Sequence, residues 1–474
     1  MSEVKKIKPS LSKGTRDFLP AEVAKRNYIF DTIKSVFRKY GFEQIETPAI
    51  ERLETLTGKY GEEGDKLLFK ILNSGDYLLE IRNRKSEINL TPQEVTPMIS
   101  EKGLRYDLTV PLARYVVQHQ EDLAFPFKRF HIGPVWRADR PQKGRYQEFY
   151  QCDADVIGSN SIINEIELLM IYLEVFERLN IKVTVKINHR AILKVLAEKG
   201  GISVEMFAAI LDKLDKVGLD SVLDELNAVG YRLKMNDLLR QFIQGTHSKQ
   251  VYQFENYFNG TLGFEDQATQ EKIFINSNEG IMACLDTENV INSSELHKKG
   301  SRHNLVQFDL TLARGLNYYT GIIWEVVCND VQMGSIASGG RYDNLTEMFG
   351  GQNMSGVGIS FGIERIYDVM EELNLFPETI SQGVKVLFVP RDSGTEEFTF
   401  QQTQTLRDAG IGAEIFLGNV KKQKQFNYAE QKNIAYLVEV GGDEMQSKKF
   451  RLRNAKTRDT ETDLSIEQII AKVK

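Results

Sequence analysis

Apolar residues recur at helical spacing between 21 and 40. Ile29, Ile33, Val36, Phe37 and Tyr40 predict a helix with one buried face, and Gly41 supplies a stop. "FEQIETPAI" (42–50) then reads as a strand that reaches Pro48, and short alternating runs follow through 67–110, "LRYDLTV" among them. "FKRFHIGPVWRA" (127–138) and "RYQEFYQCDADVIG" (145–158) are strand-like, so the segment between them predicts a hairpin loop with Pro141 and Gly144 at its tip. "IINEIELLMIYLEVFERL" (162–179) is an amphipathic helix, and "IKVTVKI" (181–187) alternates strictly, as a strand does.

Helical periodicity dominates residues 190–300, as in "LDSVLDEL" and "MNDLLRQFIQG", and no chemistry-bearing motif stands out there. The stretch predicts an inserted helical unit. Strands return from "LVQFDLTLARGLNYYTGIIWEVV" (305–327), with Gly-rich turns at "SGGRYD" and a strand running into a helix over "SGVGISFGIERIYDVMEEL" (355–373). From Val384 strand and helix alternate to the end: "VKVLFVP", a helix around 395–409, "AEIF", a helix around 420–432, "AYLVEV" and a closing helix "LSIEQIIAKV". That pattern predicts an α/β domain.

The chain has 474 residues, too many for one core, so two or three domains are expected. Its net charge of −6 argues against wholesale coating of nucleic acid, although a local basic groove remains compatible with it. Residues 384–474 carry 15 Lys/Arg and 13 Asp/Glu, a net of +2, which leaves −8 on the remainder. The sign suits a domain that touches phosphates. Three well-separated cysteines with no CxxC imply neither a disulfide framework nor a zinc ribbon, and the six histidines lack metal spacing. No protein-held metal is expected. The opening "MSEVKKIKPS" has no apolar signal core and no later run is long enough to span a bilayer, so the expected compartment is the cytoplasm, with no membrane partner.

The charge is not spread evenly. Arg137, Arg140, Lys143 and Arg145 fall within nine residues whose only acid is Asp139, and Glu148, Phe149, Tyr150 and Gln151 follow at once. Such a loop is either solvated or faces a polyanion. Guanidinium forks suit phosphate oxygens, and an aromatic ring beyond them can stack a base. No GxxxxGK[ST], dinucleotide fingerprint or kinase motif set is present. If the chain binds ATP, it uses arginines on an antiparallel sheet.

"FHIGPVWRADRPQKGRYQEFYQCDADVIG" resembles the second signature motif of class II aminoacyl-tRNA synthetases in its histidyl form. "LARGLNYYTG" and "ASGGRYDNL" resemble the two histidyl signatures, and "GISFGIERI" resembles the third class II motif. "ETPAIE" resembles the first motif, and "GTRDFLP" the usual family opening. The likeness runs from about residue 11 to the end and is weakest through 190–300. It implies an α+β fold: a class II antiparallel sheet flanked by helices, a helical insertion and a C-terminal α/β anticodon-binding domain. The implied division is 1–189 and 301–376 for the catalytic core, 190–300 for the insertion and 384–474 for the anticodon-binding domain.

The resemblance also implies a reaction and its residues. Histidine would be activated by ATP, bound with Mg²⁺ mainly through the phosphates, and then transferred to the 3′ end of tRNA(His) by a homodimer. Arg137, Arg314 and Arg365 would be catalytic, with Arg137 and Arg314 on the α-phosphate. Arg145 would meet the terminal phosphates, Phe149 the adenine ring and Asp139 its amino group, where many relatives have Glu. Asp107, Thr109 and Gln151 would hold the α-ammonium of histidine, and Asp155, Tyr318 and Tyr319 its side chain. Asn317 stands where RGLDYY has Asp. Two other readings fit part of the pattern: a catalytically inactive regulator of ATP phosphoribosyltransferase, of a kind that typically lacks the C-terminal domain and part of the motif set, and a tRNA-sensing module of the kind fused to kinases.

Overall fold

A computed structural model describes residues 8–58, 61–83, 91–142, 144–244, 287, 291, 305–313, 319–344, 346–377, 380, 383–416 and 422–474. These fall into two compact units, one within Met1–Arg16 and Ile29–Leu375, the other within Asp17–Tyr28 and Phe376–Lys474. The first helix, Pro20–Lys39, buries Ile29, Ile33, Val36 and Phe37 completely, which is the face the spacing predicts.

The larger unit is organised by eleven strands. In chain order they are β1 (Glu43–Gln44), β2 (Ile50–Arg52), β3 (Lys70–Ile71), β4 (Lys102–Leu104), β5 (Phe127–Trp136), β6 (Glu148–Ile157), β7 (Val183–His189), β8 (Leu305–Phe308), β9 (Ile322–Cys328), β10 (Ala337–Tyr342) and β11 (Gly356–Gly362). Eight of them form one sheet in the order β1-β5-β6-β11-β10-β9-β7-β8. The inner pairs are all antiparallel, and the edge strands β1 and β8 join in parallel. One sheet face packs on the helix Ile163–Arg178, whose Leu168, Ile171, Tyr172 and Val175 are fully buried. This is the α+β, antiparallel-sheet class that the sequence implies.

Three details depart from the predicted elements. The strand expected over 42–50 is split: β1 ends at Gln44, Pro48 has no N–H to give to a ladder, and β2 belongs to a separate sheet with β4 and β3. "LRYDLTV" is not a strand. Its Leu104 closes β4, Asp107 Oδ1 then accepts the Val110 N–H at 3.0 Å, and a helix starts at Thr109. "SGGRYD" is not a turn either, for its first five residues lie within β10.

Helices Arg190–Gly200, Val204–Leu211, Leu214–Val217, Leu219–Ala228 and Leu233–Gln244 occupy the described start of the predicted insertion. The smaller unit contains β12 (Val386–Pro390), β13 (Ala413–Ile415), β14 (Tyr436–Val440), β15 (Phe450–Asn454) and β16 (Thr460–Leu464) in the order β13-β12-β14-β15-β16. The first three pair in parallel, as alternating strands and helices require, and β15–β16 adds an antiparallel hairpin absent from the predicted elements.

Candidate active site

The face of the large sheet opposite the helix Ile163–Arg178 opens into a cavity of about 420 Å³. Strand periodicity builds its floor. On β6, Gln151, Asp153 and Asp155 share one face, while Cys152, Ala154 and Val156 point into the core and are fully buried. The neighbours in register are Arg129, His131 and Gly133 on β5, and Gly358, Ser360 and Gly362 on β11. The glycines have a steric role. A Cβ at Gly358 would lie 1.9 Å from Asp155 Oδ1, and one at Gly340 would lie 2.8 Å from the Tyr319 ring. Without side chains at these two points, Asp155 and Tyr319 can reach the floor.

Asp155 sits at the centre of a buried network. Its Oδ2 is 2.7 Å from Arg129 Nη2, and its Oδ1 accepts the Tyr342 hydroxyl. Arg129 is fully buried and also donates to Leu108 O at 3.2 Å. Burial raises the Asp155 carboxyl, and Arg129 opposes that rise. Burial likewise lifts the Tyr342 phenol well above its ordinary value. Beside them, burial and then the Arg129 and Arg105 guanidiniums push His131 down to about 3, so its ring is neutral. Gln151 Nε2 donates to Ser360 Oγ at 2.8 Å.

Cations gather at the other end. Arg137 donates to Tyr106 O at 3.0 Å, and its guanidinium lies 4.3 Å from the Tyr106 ring centre and 5.1 Å from that of Phe149. Arg365 donates to Gly144 O at 3.1 Å and to Ser335 O, which ties the helix Ile363–Glu372 to the β5–β6 hairpin. Arg145, half exposed, sits 3.6 Å from Asp139. The opening segment helps to hold this hairpin: Gly14 O accepts the Gln147 N–H at 2.9 Å, and Arg16 stacks on Tyr146 at 3.6 Å. Glu364 Oε2 accepts the Tyr150 N–H at 3.1 Å from the next strand.

The cavity is therefore bipolar, with guanidiniums at the hairpin and buried carboxylates in the floor. Asp107, Thr109, Arg137, Asp139, Arg145, Phe149, Gln151, Asp155, Tyr319 and Arg365 all line it. Arg314, Asn317, Tyr318 and Lys143 lie outside the described residues. Sequence reasoning passed over Asp153, Arg129, Tyr342 and Glu364. The alternation of "QCDAD" carries the signal for Asp153, since a second acid two residues before Asp155 must share its face. Arg129 and Tyr342 become visible only through cross-strand register.

A family model described as histidyl-tRNA synthetase matches residues 14–94 and 100–366, and an anticodon-binding-domain model matches 385–474. The chain belongs to the histidyl-tRNA synthetase family. The histidine–tRNA ligase of Bacteroides fragilis strain YCH46 is 49% identical over 94% of this chain and 95% of its own length, and that of Azobacteroides pseudotrichonymphae is 48% identical over 95% of each. Among solved structures, the histidyl-tRNA synthetase of Nostoc sp. PCC 7120 superposes with a TM-score of 0.79 at 27% identity, over 99% of both chains. A Bacillus halodurans protein described as an ATP phosphoribosyltransferase regulatory subunit/histidyl-tRNA synthetase superposes at 0.69 with 19% identity, covering 92% of this chain and 100% of its own, a likeness of fold alone. Among the described residues, no helix is long and apolar enough to cross a membrane.

Proposed function

We propose that this chain is a histidine–tRNA ligase that works as a cytoplasmic homodimer. In the first step the histidine carboxylate attacks the α-phosphate of ATP, histidyl-adenylate forms and pyrophosphate leaves. In the second, the 3′-terminal ribose hydroxyl of tRNA(His) takes the histidyl group and AMP leaves. The observation that carries this reading, beside family membership, is the bipolar cavity. In an aminoacyl-adenylate an anionic phosphate joins the adenosine to the aminoacyl group, whose ammonium lies on the side away from the adenosine, and the cavity offers guanidiniums and carboxylates in matching order.

The roles are those the family resemblance implies, and the charges lining the cavity support them. Arg137 meets the α-phosphate, and Arg365 flanks the nucleotide from the side of the helix Ile363–Glu372. Arg145, the most exposed of the three, takes the terminal phosphates, while Mg²⁺ enters with the triphosphate and is held mainly by its oxygens. Phe149 offers a face to the adenine once ATP displaces Arg137 from it, and Asp139 accepts from the adenine amino group directly or through a water. Asp107, Thr109 and Gln151 receive the α-ammonium. Asp155, with Tyr318 and Tyr319, receives the imidazole. Arg314 completes the charge on the α-phosphate. On this reading Arg314→Ala lowers pyrophosphate exchange by about 10²–10³; a wild-type exchange rate in the variant removes Arg314 from the reaction.

The C-terminal unit binds the anticodon stem of the tRNA. The regulator reading is not favoured, since Arg137 and Arg365 stand in the cavity and an anticodon-binding-domain model matches residues 385–474. The test is charging of an unfractionated tRNA pool. The expected result is that histidine alone is attached and only tRNA(His) shifts on an acid gel. Attachment of another amino acid, or none, overturns the assignment.

A further inference from the structure

The floor holds a second carboxylate that the reaction described above does not use. Asp153 is 2% exposed and lines the cavity; its carboxyl is hydrogen-bonded by Ser360, but its Oδ1 has no hydrogen-bond partner. A buried acceptor left open is costly, so it points to a ligand group that completes it. Asp155 is more fully engaged: its Oδ1 accepts the Tyr342 hydroxyl, and its Oδ2, although it accepts no hydrogen bond, is ion-paired with Arg129 at 2.7 Å. It can accept one ligand N–H through a remaining lone pair, but it cannot serve both nitrogens of an imidazole. Residues two apart on a strand stand about 6.5–7 Å apart on one face, which a five-membered ring with a hydrogen bond on each side can span.

We propose that Asp153 is the second imidazole ligand and a specificity-determining residue: the histidine ring lies between Asp155 and Asp153, giving an N–H to the first and sharing one proton with the second. This deepens the ligase reading and rests on it. No bond other than the hydrogen bonds forms. The pair of Asp153 and ring nitrogen holds one proton in total, written either as carboxylic acid with neutral ring or as carboxylate with imidazolium. An isosteric ring that lacks a basic nitrogen cannot share that proton, which is how the site would reject it.

The charged and titratable groups around Asp153 set where it titrates in the empty site. Arg129 and His131 face it from β5, Asp155 lies beside it on β6, Asp107 and Arg105 come from the segment after β4, and Tyr172 comes from the helix behind the sheet. Burial pushes the carboxyl up to about 7, with Arg129 opposing and Asp155 adding to the rise. Above that titration the free enzyme carries an ionised Asp153, and free histidine carries a neutral ring. Binding must then take one proton from solution, and affinity should fall by about tenfold per pH unit above the Asp153 titration.

The experiment is calorimetric titration of the full-length protein with L-histidine at pH 8 in buffers of different ionisation enthalpy. The wild type should take up close to one proton per histidine. Asp153→Asn, whose amide donates an N–H and does not titrate, should take up close to none and bind with an affinity that no longer falls between pH 7 and 8. Asp153→Ala should bind histidine about 10- to 100-fold more weakly with ATP affinity unchanged. Wild-type binding with no proton uptake overturns the inference even if no variant folds, as does unchanged uptake in Asp153→Asn. If the wild type binds another amino acid and not histidine, the ligase reading itself fails first.

Discussion

Arg129 shows what one buried residue contributes. It is completely enclosed, and it is the cation that lies against the Asp155 carboxylate. Replacing it with Met keeps most of the volume but leaves Asp155 buried and unpaired, a loss of about 3–5 kcal/mol. Urea unfolding of Arg129→Met should show it, and adding Asp155→Asn should recover a large part. The Asp155 carboxyl already titrates above its unfolded value, and losing Arg129 raises it further. A carboxyl raised in the folded state stabilises at low pH and loses that contribution as pH rises, so the deficit should be larger at pH 8 than at pH 5. A deficit independent of pH, or one the double variant leaves unchanged, would show that the pair is not what Arg129 supports. Its partner Asp155 was legible in the sequence as part of a motif. Arg129 was not, because "FKRFHIG" gives no sign that its arginine faces an acid twenty-six residues later; only the β5–β6 register reveals that.

Among elements, the strands around the site were legible where alternation was strict, as in β6 and β7. They were illegible where the site itself had altered the sequence. Glycines in "SGGRYD" suggest a turn by ordinary turn chemistry, yet a Cβ at Gly339 would lie 2.2 Å from Gly358 O and 2.4 Å from Trp324 Nε1. Close strand packing, not turning, requires glycine there. The β15–β16 hairpin was missed for a different reason: all but the last residue of Thr460–Leu464 are exposed, so this edge strand has no apolar alternation to read. Arg341, in the same "SGGRYD", joins two elements. It contacts both Glu165 oxygens, at 2.5 and 2.8 Å, and donates to Ser159 O, fastening β10 to the start of the helix Ile163–Arg178. Glu165 is 1% exposed. Arg341→Met should therefore lower stability by about 3–5 kcal/mol in urea unfolding, with partial recovery on adding Glu165→Gln. A change below about 1 kcal/mol would mean that water replaces the guanidinium there.

For the whole molecule, every described residue assigned to adenylation lies in the larger unit, and the anticodon-domain match lies in the smaller one. Truncation before Val384 should leave histidine-dependent pyrophosphate exchange largely intact while charging of tRNA falls sharply. Exchange and charging assayed side by side on both proteins check this. Equal charging by the truncated protein would refute the anticodon role, and loss of exchange by a soluble, folded truncation would refute the division of labour. The alternation of strand and helix after Val384 was readable from period alone, but the chemistry needed the motifs, because a basic loop has the same composition whether it meets solvent or a triphosphate. The central claim is that the bipolar cavity activates histidine with ATP, and ATP–pyrophosphate exchange measured with each of the twenty amino acids tests it most directly. The account predicts label exchange with histidine alone, at a rate orders of magnitude above every other amino acid. Exchange supported equally by a different amino acid, or by none, would contradict it.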